Sequence, residues 1–307
     1  MPSLAAVMLH GLIKNRMDKI NQAIRAVESP EEKVAIYRRD LQIEAGSLVP
    51  GNCQIEEDEL GLRPATWIRP EGAPPDRLIL YLHGGGYIGG TVRHSRNAAS
   101  DIARACGFQL VSLDYRLAPE YPYPAALKDV LAAFAVLIDR GYPAGKIILA
   151  GESAGGGLAI ASALAMISEG RPHPAAVLGL SPWCDLTMSS ITIIANDEKD
   201  IILTPDFLAM AAEFYAAGQD LRDPFISPSF GNFTGFPPML LQVAAEELLL
   251  GETIALADRA RSSGVDVQLD IFDGMWHTWQ SFNELVPESR AALDRIGQFA
   301  RSLPWPP

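Results

Sequence analysis

Five short, largely apolar runs recur along the chain, at Leu78–Leu82, Leu110–Leu113, Ile147–Ala150, Val177–Leu180 and Met239–Val243. Runs of this kind, without the alternation of a half-wet strand, belong to parallel strands covered on both faces by helices. Helical stretches separate them, at Ser95–Ala105, Ala125–Arg140 and Gly157–Glu169, and the last is apolar almost all round, as a fully buried helix is. Alternation of this kind predicts an α/β fold with a mostly parallel central sheet flanked by helices. Ala65–Arg69 and Val265–Phe272 read as further strands.

Two regions stand outside the alternation. The N-terminal part reads as helical: Ser29-Pro30-Glu31-Glu32 has the form of an N-cap, a first-turn proline and a capping-box glutamate, and Val34, Tyr37 and Leu41 then share one face until Gly46–Gly51 breaks the pattern. Residues 192–226 carry Phe207, Leu208, Met210 and Phe214 at helical spacing and then a turn-rich stretch. This reads as an insertion after a strand, which with the N-terminal helices forms a lid over the strand ends. The whole is expected to be one domain, 1–307, with a small helical cap from about 1–48 and 192–226.

Composition removes several function classes. A net charge of −12 without a basic stripe argues against nucleic acid. The three cysteines, Cys53, Cys106 and Cys184, are scattered, which suits a reducing compartment rather than a disulfide framework. The short apolar run near the N-terminus has its basic residues, Lys14 and Arg16, on the wrong side for a secretory signal, and no stretch approaches the length of a membrane span. A soluble, cytoplasmic protein without membrane partners is expected. The histidines and cysteines do not cluster and H-E-x-x-H is absent, so neither metal nor cofactor is expected.

The chemistry is concentrated in three places. Gly151-Glu152-Ser153-Ala154-Gly155 is a G-x-S-x-G that follows a strand and opens a helix, the context in which a nucleophilic serine sits on a tight, strained turn above the sheet. His83-Gly84-Gly85-Gly86 ends the Leu78–Leu82 strand, where glycines let backbone N–H groups approach a developing oxyanion; Gly85 and Gly86, with Ala154, are the candidate donors. Of five histidines, His277 alone follows the last strand, in Asp273-Gly274-Met275-Trp276-His277, where this order of elements puts a general base. His83 belongs to the glycine loop, where it braces the turn. The orienting acid belongs after Met239–Val243, where Glu246 and Glu247 compete and spacing does not separate them. Ser153 at the elbow excludes the dehalogenases and epoxide hydrolases, which use an aspartate there.

With these segments in place, the chain resembles the hormone-sensitive-lipase family of esterases within the α/β-hydrolase superfamily. The resemblance rests on His83–Gly86 with Tyr87, Asp114-Tyr115-Arg116-Leu117-Ala118-Pro119-Glu120, Gly151–Gly156, Ser181-Pro182-Trp183 and Gly274–His277, in the family's order from about residue 60 to 280. It implies a carboxylesterase acting on a small-molecule ester through a serine acyl-enzyme, with Ser153, Glu247 and His277 as catalytic residues, oxyanion donors at Gly85, Gly86 and Ala154, and a helical cap. Glu247 follows from aligning Leu249-Leu250 on the family's paired leucines, although Ala244 replaces a usual glycine and Gly251 a common aspartate. The Asp114–Glu120 segment reads as structural. Tyr87, Trp183, Leu203 and Phe207 are expected to line a pocket for short- to medium-chain acyl groups. Because family members often pair through the last strand, and 265–271 alternates apolar and polar residues like an edge strand, a homodimer through that strand is expected. Hydrolysis of an amide, a lactone or a carbohydrate acetate uses the same residues; a non-catalytic receptor of this fold loses the base histidine, which is present here.

Overall fold

In the computed structural model, which describes residues 2–44, 52–282 and 285–306, the apolar runs form the centre of one sheet. Its strands are β1 (Cys53–Leu60), β2 (Arg63–Pro70), β3 (Leu78–Leu82), β4 (Gln109–Leu113), β5 (Ile147–Glu152), β6 (Ala176–Leu180), β7 (Met239–Ala244) and β8 (Val267–Phe272). They lie in the order β1-β2-β4-β3-β5-β6-β7-β8. β2 runs antiparallel to both β1 and β4, and every other pairing is parallel. The helices are α1 (Leu4–Arg25), α2 (Pro30–Glu44), α3 (Arg96–Cys106), α4 (Ala125–Asp139), α5 (Ala154–Ser168), α6 (Thr192–Ala195), α7 (Pro205–Ala216), α8 (Leu250–Ser262) and α9 (Pro287–Ser302).

The reason the central strands read as unbroken apolar runs is visible in β3. Leu78, Leu80 and Leu82 enter a core with Val130 of α4, Leu158 of α5 and Leu256 of α8. Ile79 and Tyr81 face the opposite way, into a second core with Ile102 of α3 and Ile296 of α9. Each large apolar side chain so buried stabilises the fold by about 1.5–3 kcal/mol relative to exposure. The strand order reverses beside β3: the chain leaves β3 for β4 on one side and re-enters at β5 on the other. At such a switch point the loops after the two strands diverge to opposite faces and leave a crevice at their carboxyl ends. The glycine loop follows β3, Ser153 follows β5, and Leu82 pairs with Gly151 in register.

Two strands depart from their expected reading. β1 was not legible as a strand, because Glu56, Glu57, Asp58 and Glu59 give it no apolar face. It is held at the edge by charge: Arg69 pairs with Glu56, Arg96 with Glu57 and Arg140 with Asp58, and Trp67 Nε1 donates to Asp58 Oδ2 at 2.8 Å. β8 is the opposite edge strand, as expected, but begins at Val267 and does not alternate cleanly. Asp270 is buried, accepting from Arg295 Nη1 at 3.0 Å, whereas Ile271 is 44% exposed. Arg295 comes from α9, so the buried polar position has a partner of its own.

The N-terminal helices and the 192–226 insertion lie against the loops at the strand ends. Ser29 Oγ accepts the Glu32 amide at 3.3 Å and donates to Glu31, starting α2. Arg38 of α2 donates to the Ile88 and Ala118 carbonyls and to both oxygens of Glu120. Ala6 of α1 packs with Ile201, Met275, Trp276 and Trp279, under the loop that carries His277. Thr204 caps α7 by accepting the Phe207 amide at 3.2 Å, and the Phe207 ring meets Tyr37 of α2 at 4.8 Å. The expected break at Gly46–Gly51, and with it residues 45–48 of the expected cap, lies outside the described residues.

Candidate active site

Ser153 stands at the first turn of α5 with φ 54° and ψ −125°. A serine at a helix start ordinarily accepts an amide of its own first turn. Here the left-handed φ turns the hydroxyl away, and it makes no such cap. Strain of this type costs roughly 1–3 kcal/mol and persists only where the surroundings impose it. Those surroundings are close: Ser153 N donates to Leu180 O at 2.9 Å, and Trp183 N donates to Ser153 O at 3.0 Å. A Cβ on Gly155 would lie 2.1 Å from Leu82 O, and one on Gly151 would lie 2.3 Å from Gly155 O. The elbow therefore closes only with glycine at both positions.

The freed hydroxyl donates to His277 Nε2 at 2.9 Å, and His277 Nδ1 donates to Glu247 Oε2 at 2.7 Å. The carboxylate sets the tautomer, since a ring nitrogen facing it must carry the proton and the other is left as acceptor. The second Glu247 oxygen accepts from Ser181 Oγ and from the Ala244 amide, both at 2.7 Å. Glu247 and His277 are buried. Burial alone would lower the histidine's pKa, but the charge and hydrogen bond of Glu247, with Asp200 and Glu152 nearby, outweigh it, and the net shift is upward. Such a relay can take a proton from the serine as its oxygen attacks and return it to a leaving group. Glu246, which spacing could not separate from Glu247, points elsewhere: its carboxylate accepts the Gly274 amide at 2.9 and 3.0 Å, shaping the turn before His277.

The glycine loop lies alongside. Gly85 and Gly86 both have positive φ, and among the described residues their amides and that of Ala154 meet no acceptor. The Phe207 ring lies over Gly86, where an added Cβ would be 3.1 Å from Cζ. His83 stacks on Tyr115 at 4.3 Å, its Nδ1 donates to Gly84 O at 2.8 Å, and Tyr115 Oη donates to His83 O at 2.7 Å. His83 thus braces the loop, as does the Asp114–Glu120 segment, whose Asp114 accepts the Val92 amide at 2.9 Å.

Of the expected pocket residues, Phe207 is half-buried and Leu203 buried. Tyr87 and Trp183 are each 1% exposed. Tyr87 stacks on Tyr215 at 3.8 Å, and Tyr87 and Trp183 both crowd Gly157 in the first turn of α5. Sequence reasoning named no role for Ser181, Asn196 or Asp200. The Ser181-Pro182-Trp183 segment directly after β6 was a signal for the first, whereas nothing in the local sequence marks the other two.

A sheet of this order with a serine–histidine–glutamate relay at its switch point defines an α/β hydrolase. The sequence matches the family described as alpha/beta hydrolase fold over residues 79–281. Among curated proteins it is 39% identical to an acetyl-hydrolase of Streptomyces hygroscopicus, over 78% of this chain and 79% of that one. It is 33% identical to an esterase of Acinetobacter venetianus, over 75% and 77%. A solved esterase from the bacterial hormone-sensitive lipase family superposes with a TM-score of 0.89 at 36% identity, covering 99% of each chain. The chain belongs to the alpha/beta hydrolase fold family, among the esterases of the bacterial hormone-sensitive-lipase group, and is a carboxylesterase. Among the described residues no helix is long and apolar enough to cross a membrane.

Proposed function

We propose that Ser153 is the nucleophile of this esterase, His277 its base and then its acid, and Glu247 the carboxylate that orients the imidazole. The observation that carries the reading is the continuous relay of 2.9 Å and 2.7 Å through the two nitrogens of His277. Ser153 Oγ attacks the ester carbonyl while its proton passes to Nε2; the proton then goes to the departing alkoxide, leaving an acyl-enzyme that water cleaves by the same steps. The amides of Gly85, Gly86 and Ala154 hold the tetrahedral oxyanion, with the N-terminus of α5 adding its dipole. Ser153→Ala tests this reading. It is expected to lose roughly 10⁴- to 10⁶-fold in kcat with an unchanged fold, and retention of a few per cent of wild-type rate overturns it.

The preferred substrates are esters of short to medium acyl chains. Phe207 over Gly86 and buried Leu203 form the acyl wall, backed by Tyr87 and Trp183, and the name acetyl-hydrolase of the Streptomyces relative supports the short end. That name also favours acetyl esters of varied alcohols, carbohydrate acetates included. Each added methylene gains about 0.8 kcal/mol until the chain meets the wall, after which overpacking costs roughly 1–3 kcal/mol. Values of kcat/KM for p-nitrophenyl esters are expected to rise and then fall between acetate and palmitate. A maximum at palmitate overturns the capped pocket, which is built from α1, α2 and the 192–226 insertion.

Assembly and location extend the same reading. β8 ends the sheet with one edge unpaired and Ile271 exposed, which supports a homodimer through this strand; a monomeric mass by light scattering at micromolar concentration overturns it. Three free cysteines far from one another in the chain suit the cytoplasm.

A further inference from the structure

The loop that carries Glu247, between β7 and α8, has little regular structure of its own, and side chains from the start of the insertion take up its backbone groups. Asn196 Nδ2 donates to Ala245 O at 3.0 Å and to Glu247 O at 2.9 Å. Thr192 Oγ1 donates to Leu248 O at 2.7 Å and accepts the Gly251 amide at 3.0 Å. Asp200 closes the set: Oδ2 accepts the Leu248 amide at 2.9 Å, while Oδ1 accepts the amides of Ile202 and Leu203 at 3.0 and 2.9 Å. Gly251 makes the approach feasible, because a Cβ there would lie 2.2 Å from Ser190 Oγ.

We propose that Asp200 is a positioning residue for the esterase reaction: with Asn196 it moulds the loop that presents Glu247, and its buried carboxylate is a second negative charge supporting the His277 imidazolium formed during attack. The inference rests on the assignment of His277 and Glu247 above. It gives residues 192–200 of the insertion a task separate from enclosing substrate. A covering lid needs only apolar contact, yet this segment spends buried polar groups on the backbone around Glu247.

The charge environment supports the second half of the proposal. Asp200, His277 and Glu247 are all buried, and the charges of the last two act on Asp200. Lys14, Asp18 and Arg25 of α1 and Asp197 and Glu198 of its own segment line a 470 Å³ cleft that Asp200 borders, and Lys199 is held on Asn196 Oδ1 at 3.0 Å. Burial raises the Asp200 pKa to about 6; the His277 charge and the Leu203 and Leu248 amides oppose that rise, and Glu247 adds to it. The group is therefore ionised at pH 8 and largely neutral at pH 5.

The test is Asp200→Asn, which keeps the shape and removes the charge, assayed on p-nitrophenyl butyrate from pH 5 to 9 beside wild type and Ser153→Ala. At pH 8 kcat is expected to fall about 10- to 100-fold, with KM within about threefold of wild type. The acid limb of kcat/KM moves to lower pH, because the imidazolium has lost an anion, and the deficit narrows below pH 6, where wild-type Asp200 is itself protonated. A deficit constant across pH, or wild-type behaviour throughout, overturns the proposal. An active Ser153→Ala instead overturns the underlying mechanism, so the two failures are told apart. If Asp200→Asn does not fold, Asn196→Ala takes its place. A kcat several-fold below wild type with an unmoved acid limb supports the mould, and an unchanged kcat overturns it. The wild-type acid limb then decides the charge: a slope above one proton supports it, and a slope of one overturns it.

Discussion

Ser181 Oγ donates to Glu247 Oε1 at 2.7 Å, and the amide of Thr278, the residue after His277, donates to that same hydroxyl at 3.3 Å. One buried serine thus links the loop of Glu247 to the loop of His277. Its own φ of 45° keeps the hydroxyl in that position. A hydrogen bond to a charged group contributes about 1.5–3 kcal/mol. Ser181→Ala is expected to lower kcat roughly tenfold and KM little, as steady-state kinetics will show. Unchanged kcat means that the Ala244 amide alone suffices to hold Glu247.

The two adjacent glutamates separate by mutation. Glu247→Gln places an amide against His277 Nδ1 and favours the wrong tautomer, a loss of up to about 10⁴ in kcat. Glu246→Gln leaves an oxygen for the Gly274 amide and is expected to cost less than about tenfold. Equal losses in the two variants contradict the geometry at Glu247.

The pH dependence follows from the direction of the His277 shift. In the proposed mechanism His277 must be neutral to accept the serine proton, and the Glu247 charge holds its pKa above the ordinary histidine value despite burial. kcat/KM is therefore expected to rise with pH through a midpoint above about 6.5. The same shift contributes stability that is fully present below the unfolded histidine pKa and is lost as pH rises through the folded one. In Glu247→Gln the residual activity titrates at lower pH. A wild-type midpoint below the ordinary value contradicts the balance of charges around the ring.

Asp129 is a structural counterpart. Buried in α4, it accepts the Arg116 amide at 2.9 Å and its guanidinium at 2.6 and 3.0 Å, with Arg63 3.6 Å away. Asp129→Ala leaves Arg116, itself a third exposed, without its partner, at a cost of about 2–3 kcal/mol. The expected outcome is a Tm several degrees lower, with kcat per folded molecule near wild type. Lost kcat at full stability instead gives the Asp114–Glu120 segment a direct part in the site.

Much of this architecture was written locally. The strands from β3 to β7 were legible because burial on both faces demands apolar residues without interruption. Ser153 and His277 were singled out by local patterns, because an elbow needs Gly151 and Gly155 and a base is expected in a loop after the last strand. These requirements are met by neighbours in the chain. The preference for Glu247 over Glu246 was not local, since both are carboxylates on the same turn. Their surroundings differ only in the packed chain, where Ser181, the Ala244 amide and His277 meet the Glu247 carboxyl group and the Gly274 amide meets that of Glu246. β1 was hidden because its acidic residues find arginines such as Arg96 and Arg140 only across the fold, and the alternation expected of β8 fails because Asp270 is buried against an arginine of α9. Asp200 lies 48 and Asn196 51 residues before the backbone they hold. A short-range pattern records what a residue needs from its own segment. What buries a carboxylate beside a histidine comes from other segments, and only the packed chain brings them together.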